Sequence, residues 1–179
     1  AFPQKGVRRT PLYVTRIEDS DGNVLSQFQS SVKEVISEEA AYKMIVMMRG
    51  VIDGGTGSRM RNRYHITAPM GGKTGTTNDN SDGWFIGYTP RLCFGAWVGG
   101  DEHDVHFASM AYGQGANSAL PINAYFLQKV FADEQLGYSQ SEEFDMPSGF
   151  DPCGGDLSED EFGGEEFVEE MGFDSETYQ

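Results

Sequence analysis

The residues best suited to chemistry lie in one glycine-bearing stretch, GGKTGTTNDNSDGW, which spans residues 71–84. In an extended strand Lys73 and Gly75 point to one face of the sheet, because successive side chains alternate. Thr74 and Thr76 then point to the other face, unless a local twist of the strand reorients them. Since Gly75 has no side chain, an extended peptide can approach its backbone and pair with it as an added strand. Lysine and threonine side chains donate hydrogen bonds, so the stretch predicts a binding edge for a peptide carboxylate.

A nucleotide-binding P-loop is the main alternative for this stretch, because Gly72, Lys73 and Thr74 match its last three letters. That motif needs a glycine five positions before Gly72, where this chain has Thr67, and it needs a helix afterwards. Residues 78–83 have the composition of a turn instead. The sequence therefore favours the peptide-binding edge, which by itself contains no nucleophile with a base.

The elements before this stretch predict a hairpin and a helix. Residues 11–25 hold two short strand-like runs about turn formers at residues 21–23, a pattern typical of a hairpin. Residues 37–55 predict an amphipathic helix with Ser37 as its N-cap and glycines at its end. Its apolar positions recur at steps of three and four: Ala41, Met44, Ile45, Met48 and Ile52.

The elements after it predict two strands and a second helix. Residues 84–88 and 92–98 are dense in aromatic and apolar residues, which is typical of strands covered on both faces. The turn between them is so short that they must be antiparallel. The last helix is expected near residues 117–131, and its predicted packing face consists of Ile122, Phe126, Leu127 and Val130. The predicted fold class is therefore α/β of the α+β type, with covering helices on antiparallel strands.

The negative charge of the chain is concentrated in its C-terminal part. The 179 residues carry a formal net charge of -15, and residues 133–179 hold 16 acidic side chains with no Lys or Arg. We therefore predict a folded domain over residues 1–136 and an acidic, disordered tail over residues 137–179. An alternative for this tail is a docking motif for a basic partner, centred on Phe162, Phe167 or Phe173.

The wider stretch GGKTGTTNDNSDGWFIGYTPRLCFGAWVGGD resembles the transpeptidase domain of class A, bifunctional penicillin-binding proteins. Lys-Thr-Gly is the third motif of the serine β-lactamases and penicillin-binding proteins. In the class A family an Ala-Gly-Lys-Thr-Gly-Thr-Thr strand is followed by Asp-Ala-Trp-Phe, Gly-Tyr and Trp-Val-Gly. The resemblance extends through the predicted hairpin and both helices, over residues 1–132. Gly71 and Gly83 depart from the family pattern, which usually has alanine at both positions.

The resemblance implies acyl transfer on the stem peptides of the bacterial cell wall, and acylation by β-lactams. The catalytic residues that it implies are Lys73, which assists proton transfer and attracts the substrate carboxylate, and Thr76, whose N–H is one of two oxyanion-hole donors. The substrate-binding residues that it implies are Thr74, Gly75, Thr76 and Thr77. It implies no metal and no cofactor.

The first two motifs of that family are not found in this chain. Ser-x-Asn does not occur, and the one Ser-x-x-Lys, Ser30 to Lys33, lies in the stretch that links the predicted hairpin to the helix. We therefore expect the serine nucleophile and its lysine base to precede Ala1, and this chain alone to be inactive. The chain has no run of about 18 apolar residues that could span a bilayer, and no signal peptide opens it.

The parent protein that the resemblance implies acts in the periplasm, on the extracytoplasmic face of the cytoplasmic membrane. It would be anchored by an N-terminal helix outside this chain, with a glycosyltransferase region upstream. Its expected partners are stem peptides, β-lactams and the rest of the transpeptidase domain. Two alternatives remain for this chain: a wall-peptide binding module without chemistry, or an interaction protein that acts through its acidic tail.

Two charged groups need separate interpretations. DEHDVH, residues 101–106, combines two histidines with three acids, but no further His or Cys lies near in sequence to complete a metal shell. We expect a solvent-facing loop there, with a metal site as the alternative. The one dense basic group is Arg59, Arg61 and Arg63, which is too small to predict nucleic-acid binding. It is expected to decorate the surface or to bind an acidic wall polymer.

Overall fold

A three-stranded antiparallel sheet lies at the centre of the computed structural model, which describes residues 1–102 and 104–151. In chain order the elements are β1 (Val7–Arg9), β2 (Arg16–Glu18), β3 (Val24–Gln27), β4 (Val32–Glu34), α1 (Glu38–Asp53), α2 (Arg59–Asn62), β5 (Gly71–Thr76), β6 (Asp82–Tyr88), β7 (Cys93–Gly99), α3 (Met110–Gly113) and α4 (Ala119–Ala132). The central sheet has the order β5-β6-β7, and both neighbouring pairs are antiparallel. The predicted mixed fold of antiparallel strands with covering helices is confirmed.

The helix predicted over residues 37–55 forms as α1. The Ser37 hydroxyl accepts a hydrogen bond from the Ala40 N–H at 3.2 Å, which caps the first turn. Glu38 and Glu39 lie in the same turn, where negative charge is favourable. Of the five predicted apolar positions three are buried, namely Ala41, Ile45 and Ile52.

The last helix, α4, buries a different face from the one predicted. Leu127 and Val130 are buried as expected, but Ile122 and Phe126 are 51% and 45% exposed. The buried face consists of Ala119, Leu120, Asn123, Ala124, Leu127 and Val130. Because this helix is apolar on nearly all sides, its periodicity does not select the face that packs.

One face of the central sheet is buried and the other is exposed. Phe85 and Phe94 lie in the core with their rings stacked at a centroid distance of 6.4 Å. On the opposite face Trp84, Ile86 and Trp97 are 44%, 50% and 45% exposed. The prediction that both faces are covered is therefore wrong for the described residues. A continuous apolar run indicates that both faces of a strand can be buried, but it does not show which other segment of the protein buries each face.

Two smaller sheets lie N-terminal to α1. The predicted hairpin is confirmed, since β2 pairs with β3 in antiparallel fashion. Asp19 closes its turn by accepting hydrogen bonds from the N–H groups of Asp21 and Asn23, both at 2.9 Å. Gly22 has a φ of 84°, which glycine adopts without strain. The antiparallel pairing of β1 with β4 is not predicted by the sequence, because both strands are only three residues long.

Residues 137–148, which the sequence predicts as the start of a disordered tail, pack against the sheet. Phe144 is buried, with its ring edge-to-face against Tyr88 at 5.9 Å between centroids. Arg91, in the turn between β6 and β7, forms an ion pair with Glu142 at 2.8 Å. Single aromatic and charged side chains thus anchor a segment that has no periodic pattern. The folded part of the chain therefore continues past residue 136, where the sequence places the boundary.

The chain divides into two units, Ala1–Ser148 and Gly149–Gln179. All the elements above belong to the first unit. Most of the second unit, residues 152–179, lies outside the described residues, and so do the three phenylalanines of the alternative docking motif. Within the described ranges no helix is long and apolar enough to cross a membrane.

Candidate active site

The Lys-Thr-Gly stretch forms β5, which is an edge strand of the central sheet. Thr76 is paired with Gly83, and just beyond it the Thr77 N–H donates to the Asp82 carbonyl oxygen at 3.1 Å. Backbone groups alternate in direction along a strand, so the N–H groups of Thr74 and Thr76 point away from β6. No strand formed by residues 1–102 or 104–151 pairs with β5 on that side. The edge, including the Thr76 N–H, is therefore open to an added peptide.

Lys73 lies beside this edge with an exposed side chain. Its ammonium group donates to the Thr74 carbonyl oxygen, which belongs to the open edge, at 2.9 Å. Among the described residues no carboxylate lies within ion-pair distance of Lys73. The positive charge is thus positioned at the edge and available to an external anion.

The hydroxyls of Thr74 and Thr76 are each held by a group from outside the strand. Thr74 Oγ1 lies 2.7 Å from Thr56 Oγ1, in the turn after α1. Thr76 Oγ1 accepts a hydrogen bond from the Gly115 N–H at 3.0 Å. A hydroxyl that accepts one hydrogen bond keeps its own hydrogen for donation. Thr76 is therefore prepared to donate to an acceptor such as a carboxylate.

Gly75 lies between these threonines and opposite Trp84. A Cβ atom at Gly75 would lie 3.2 Å from the Trp84 Cβ, so a side chain there would force the tryptophan to shift. The missing side chain thus permits the close pairing of β5 with β6, in addition to the approach of a peptide that the sequence predicts.

Thr77 differs from the other predicted site residues because its hydroxyl is engaged in the turn after β5. It donates to Asp82 Oδ2 at 3.0 Å, and it accepts a hydrogen bond from the Asp82 N–H at 2.9 Å. Asp82 Oδ1 accepts a hydrogen bond from the Trp97 Nε1 at 2.8 Å. This network ties β7 to the end of β5 where Thr76 lies. Asp82 and Trp97 are 15 residues apart, so finding them from sequence would have required the strand register.

Arg61 supports the connector that leads into β5. Its guanidinium donates to the carbonyl oxygens of Ile66 and Ala68 at 2.7 and 2.8 Å, and it pairs with Asp53 at 2.9 Å. Arg59 donates to a backbone carbonyl in the loop before α4 at 3.3 Å. The prediction that this basic group decorates the surface or binds a polymer is therefore wrong for Arg61, because its donors are used within the fold.

At the other end of β5 the sheet contains an unusual tyrosine. The Tyr88 hydroxyl is buried without a hydrogen-bond partner in the described part of the chain. Burial raises the pKa of Tyr88 to about 12, and a smaller contribution comes from the charge of Cys93. A cavity of about 340 Å³ lies nearby, lined in part by Ile45 and Phe144. None of the predicted site residues lines this cavity.

The acidic loop after β7 gives no metal centre within the described residues. In residues 1–102 and 104–151 no three His, Cys, Asp or Glu side chains come together in a way that could hold an ion. His103 lies outside those residues, so the alternative of a metal site there stays a prediction.

An open edge strand with a lysine, a threonine hydroxyl ready to donate and an outward N–H is the arrangement expected for the Lys-Thr-Gly strand of serine β-lactamases and penicillin-binding proteins. The chain belongs to the penicillin-binding protein transpeptidase domain family, whose model matches residues 1–120. The family identified from the strand motif is thereby confirmed.

Individual relatives agree with this assignment. Penicillin-binding protein 1A from Aquifex aeolicus is 31% identical over 146 residues, which cover 82% of this chain and 19% of that protein. Penicillin-binding protein 1B from Vibrio cholerae is 34% identical over 122 residues, which cover 68% of this chain and 15% of that protein. This chain therefore spans about a fifth or less of the length of these relatives.

The fold has a close counterpart among solved structures. The crystal structure of penicillin-binding protein 1A from Haemophilus influenzae matches with a TM-score of 0.64. The match covers 82% of this chain and 26% of that chain, at 20% sequence identity. At this identity the likeness supports the fold.

Proposed function

We propose that this chain is the C-terminal portion of a D,D-transpeptidase that cross-links peptidoglycan stem peptides and is acylated by β-lactams. The open edge of β5 carries the proposal, because it brings the Lys73 ammonium group together with the outward N–H of Thr76. A stem peptide would add to this edge as a strand, with Gly75 allowing its approach. The Lys73 ammonium group reaches the edge at the Thr74 carbonyl oxygen, and the hydroxyls of Thr74 and Thr76 lie on the other face of the strand, so these groups would bind the carboxylate from its two sides.

In the proposed reaction a serine from another part of the protein attacks the carbonyl carbon of the penultimate D-alanine. The C–N bond breaks, and the terminal D-alanine leaves with a proton on its nitrogen. An amine of a second stem peptide then attacks the ester carbonyl, and the serine oxygen regains a proton. The Thr76 N–H would stabilise the oxyanion in both steps, and loss of one such donor typically lowers the rate by about 10²–10³. Thr77 would support Thr76 through the turn rather than bind substrate by its hydroxyl.

The exposed face of the sheet supports a second part of the proposal. Trp84, Ile86 and Trp97 are apolar side chains on the same face as Lys73, and such patches mark surfaces that another structure covers. We place the rest of the transpeptidase domain there, with the Ser-x-x-Lys and Ser-x-Asn motifs and a glycosyltransferase region further upstream. The chain alone would then be inactive. The parent protein would work in the periplasm, anchored to the cytoplasmic membrane by a helix outside this chain.

The test is labelling of the full-length protein by a fluorescent penicillin. Lys73→Ala should lower the acylation rate by about a hundredfold or more, since proton-transfer groups contribute about 10²–10⁴. Lys33→Ala is the matched control, because Lys33 is also an exposed lysine on a strand. It should label as the wild type does, and the 179-residue chain alone should remain unlabelled.

Equal labelling of the wild type and Lys73→Ala would remove the role given to Lys73. A full-length protein that no penicillin labels would contradict the transpeptidase proposal itself. The binding-module alternative would then be tested by calorimetry of the chain with a D-Ala-D-Ala peptide. Heat of binding in that experiment would favour a module without chemistry.

A further inference from the structure

The two threonine hydroxyls of β5 are oriented by groups that do not belong to the Lys-Thr-Gly motif. Gly115, which orients Thr76, follows it by 39 residues, and Thr56, which contacts Thr74, precedes it by 18 residues. Gly115 acts through a backbone N–H, whereas Thr56 acts through its own side chain. Thr56 is therefore the partner whose contribution a substitution can remove without changing the backbone.

Thr56 is held in place by the turn that follows α1. Its neighbours Gly55 and Gly57 lie directly on the helix end, since a Cβ at Gly57 would meet the Ile52 side chain at 2.8 Å. A Cβ at Gly55 would meet the Val51 Cα at 2.9 Å. Glycine on either side of Thr56 thus lets the turn lie directly on the last turn of α1, because any side chain there would require the turn or its neighbours to shift. This packing fixes the position of the Thr56 hydroxyl relative to β5.

The contact between Thr56 and Thr74 has a chemical consequence for an anionic ligand. Either hydroxyl can be the donor of the 2.7 Å hydrogen bond. A carboxylate accepts hydrogen bonds only, so a bound carboxylate requires Thr74 to donate towards the ligand. Thr56 then donates to Thr74 Oγ1, and the two hydrogen bonds strengthen one another because donation polarises the shared hydroxyl. The Gly115 N–H likewise donates to Thr76 Oγ1, which leaves the Thr76 hydroxyl hydrogen for the ligand.

We propose that Thr56 is a positioning residue for carboxylate recognition, acting through the Thr74 hydroxyl. The inference rests on the proposed function, and it adds a residue outside the motif to the machinery that reads the carboxylate. It requires that Thr56 matters only for ligands that have a carboxylate. A purely structural role would affect every acylating ligand alike.

The experiment measures the second-order rate constant of acylation of the full-length protein by benzylpenicillin and by its methyl ester. Thr56→Val replaces the hydroxyl with a methyl group of similar size, and it should slow acylation by the acid about three- to tenfold. Acylation by the ester should change less than about twofold. Thr56→Ser retains the hydroxyl and should restore the rate with the acid.

Two controls separate the proposed role from general damage. Thr10→Val removes a hydroxyl from a comparable exposed pair, Thr10 and Ser31 at 2.6 Å, which is remote from β5 in sequence and in sheet pairing. It should change neither rate. In a Thr74→Val background the Thr56→Val substitution should have no further effect, because the hydroxyl through which it acts is gone.

Each outcome decides the inference. Equal slowing with the acid and the ester, slowing with neither, or full additivity of the two valine substitutions would overturn it. Those results leave the proposed function intact, since the wild type would still be acylated. A wild type that neither ligand acylates would instead refute the proposed function, and the inference with it.

Discussion

Replacing Gly71 with alanine should destabilise this protein, although the family resemblance places alanine at that position. A Cβ at Gly71 would lie 2.7 Å from both Cζ and the hydroxyl oxygen of Tyr88, and 3.1 Å from the Met48 Cβ. The tyrosine ring has little room to retreat, because it is 7% exposed and packs edge-to-face on Phe144. The added methyl group must therefore displace a packed ring.

The size of this effect follows from two opposing contributions. Replacing glycine by alanine in a strand stabilises the fold by about 0.5–1 kcal/mol, because alanine loses less conformational freedom on folding. Inserting a methyl group into a packed core costs about 1–3 kcal/mol. The expected result for Gly71→Ala is therefore a net loss of about 1 kcal/mol in the free energy of unfolding, the difference between the midpoints of these two ranges.

Urea unfolding of the 179-residue chain measures this loss, with Gly50→Ala as the control. Gly50 lies in α1, and a Cβ there would meet no atom within 4 Å. Gly50→Ala should thus stabilise the chain by up to about 1 kcal/mol, the helix-propensity difference between the two residues. A Gly71→Ala variant as stable as the wild type, or more stable, would show that the Tyr88 ring moves aside without cost and would contradict this prediction. Adding Tyr88→Leu should recover part of the loss, because the smaller side chain makes room for the methyl group.

Two further predictions concern stability. Arg61→Ala removes the charged donors of two carbonyl oxygens and should cost about 2–4 kcal/mol in urea unfolding. Arg9→Ala, at an exposed position of β1, is the control and should stay within about 0.5 kcal/mol of the wild type; equal effects of the two substitutions would contradict the assigned role. Tyr88→Phe should be close to neutral at pH 7 and more stable than the wild type at high pH. The pKa of Tyr88 is raised in the fold to about 12, so its contribution is complete below pH 10 and is lost as the pH rises towards 12; parallel loss in both proteins over that interval would exclude this cause.

The helix α1 and the strands β5 to β7 could be predicted because their signals are local. The cap at Ser37, the apolar spacing of α1 and the short turn between β6 and β7 each act over a few residues. The buried face of α4 could not be predicted in the same way. Ile122 and Leu127 are both apolar, and only the position of the sheet decides that Leu127 is buried while Ile122 is exposed. The anchoring of residues 137–148 depends likewise on single long-range contacts.

The sequence by itself determined which functional groups lie next to one another on β5. Lys73, Thr74, Gly75 and Thr76 are consecutive, so the chemistry of the predicted edge is fixed by covalent order and strand alternation. The tertiary structure decided how these groups are oriented. Thr56 and Gly115 come from loops on either side of the motif in sequence, and they reach it only after α1 and the loop before α4 have packed on the sheet. A sequence pattern does not predict such contacts, because the distance in space between residues far apart in sequence is set by the fold as a whole.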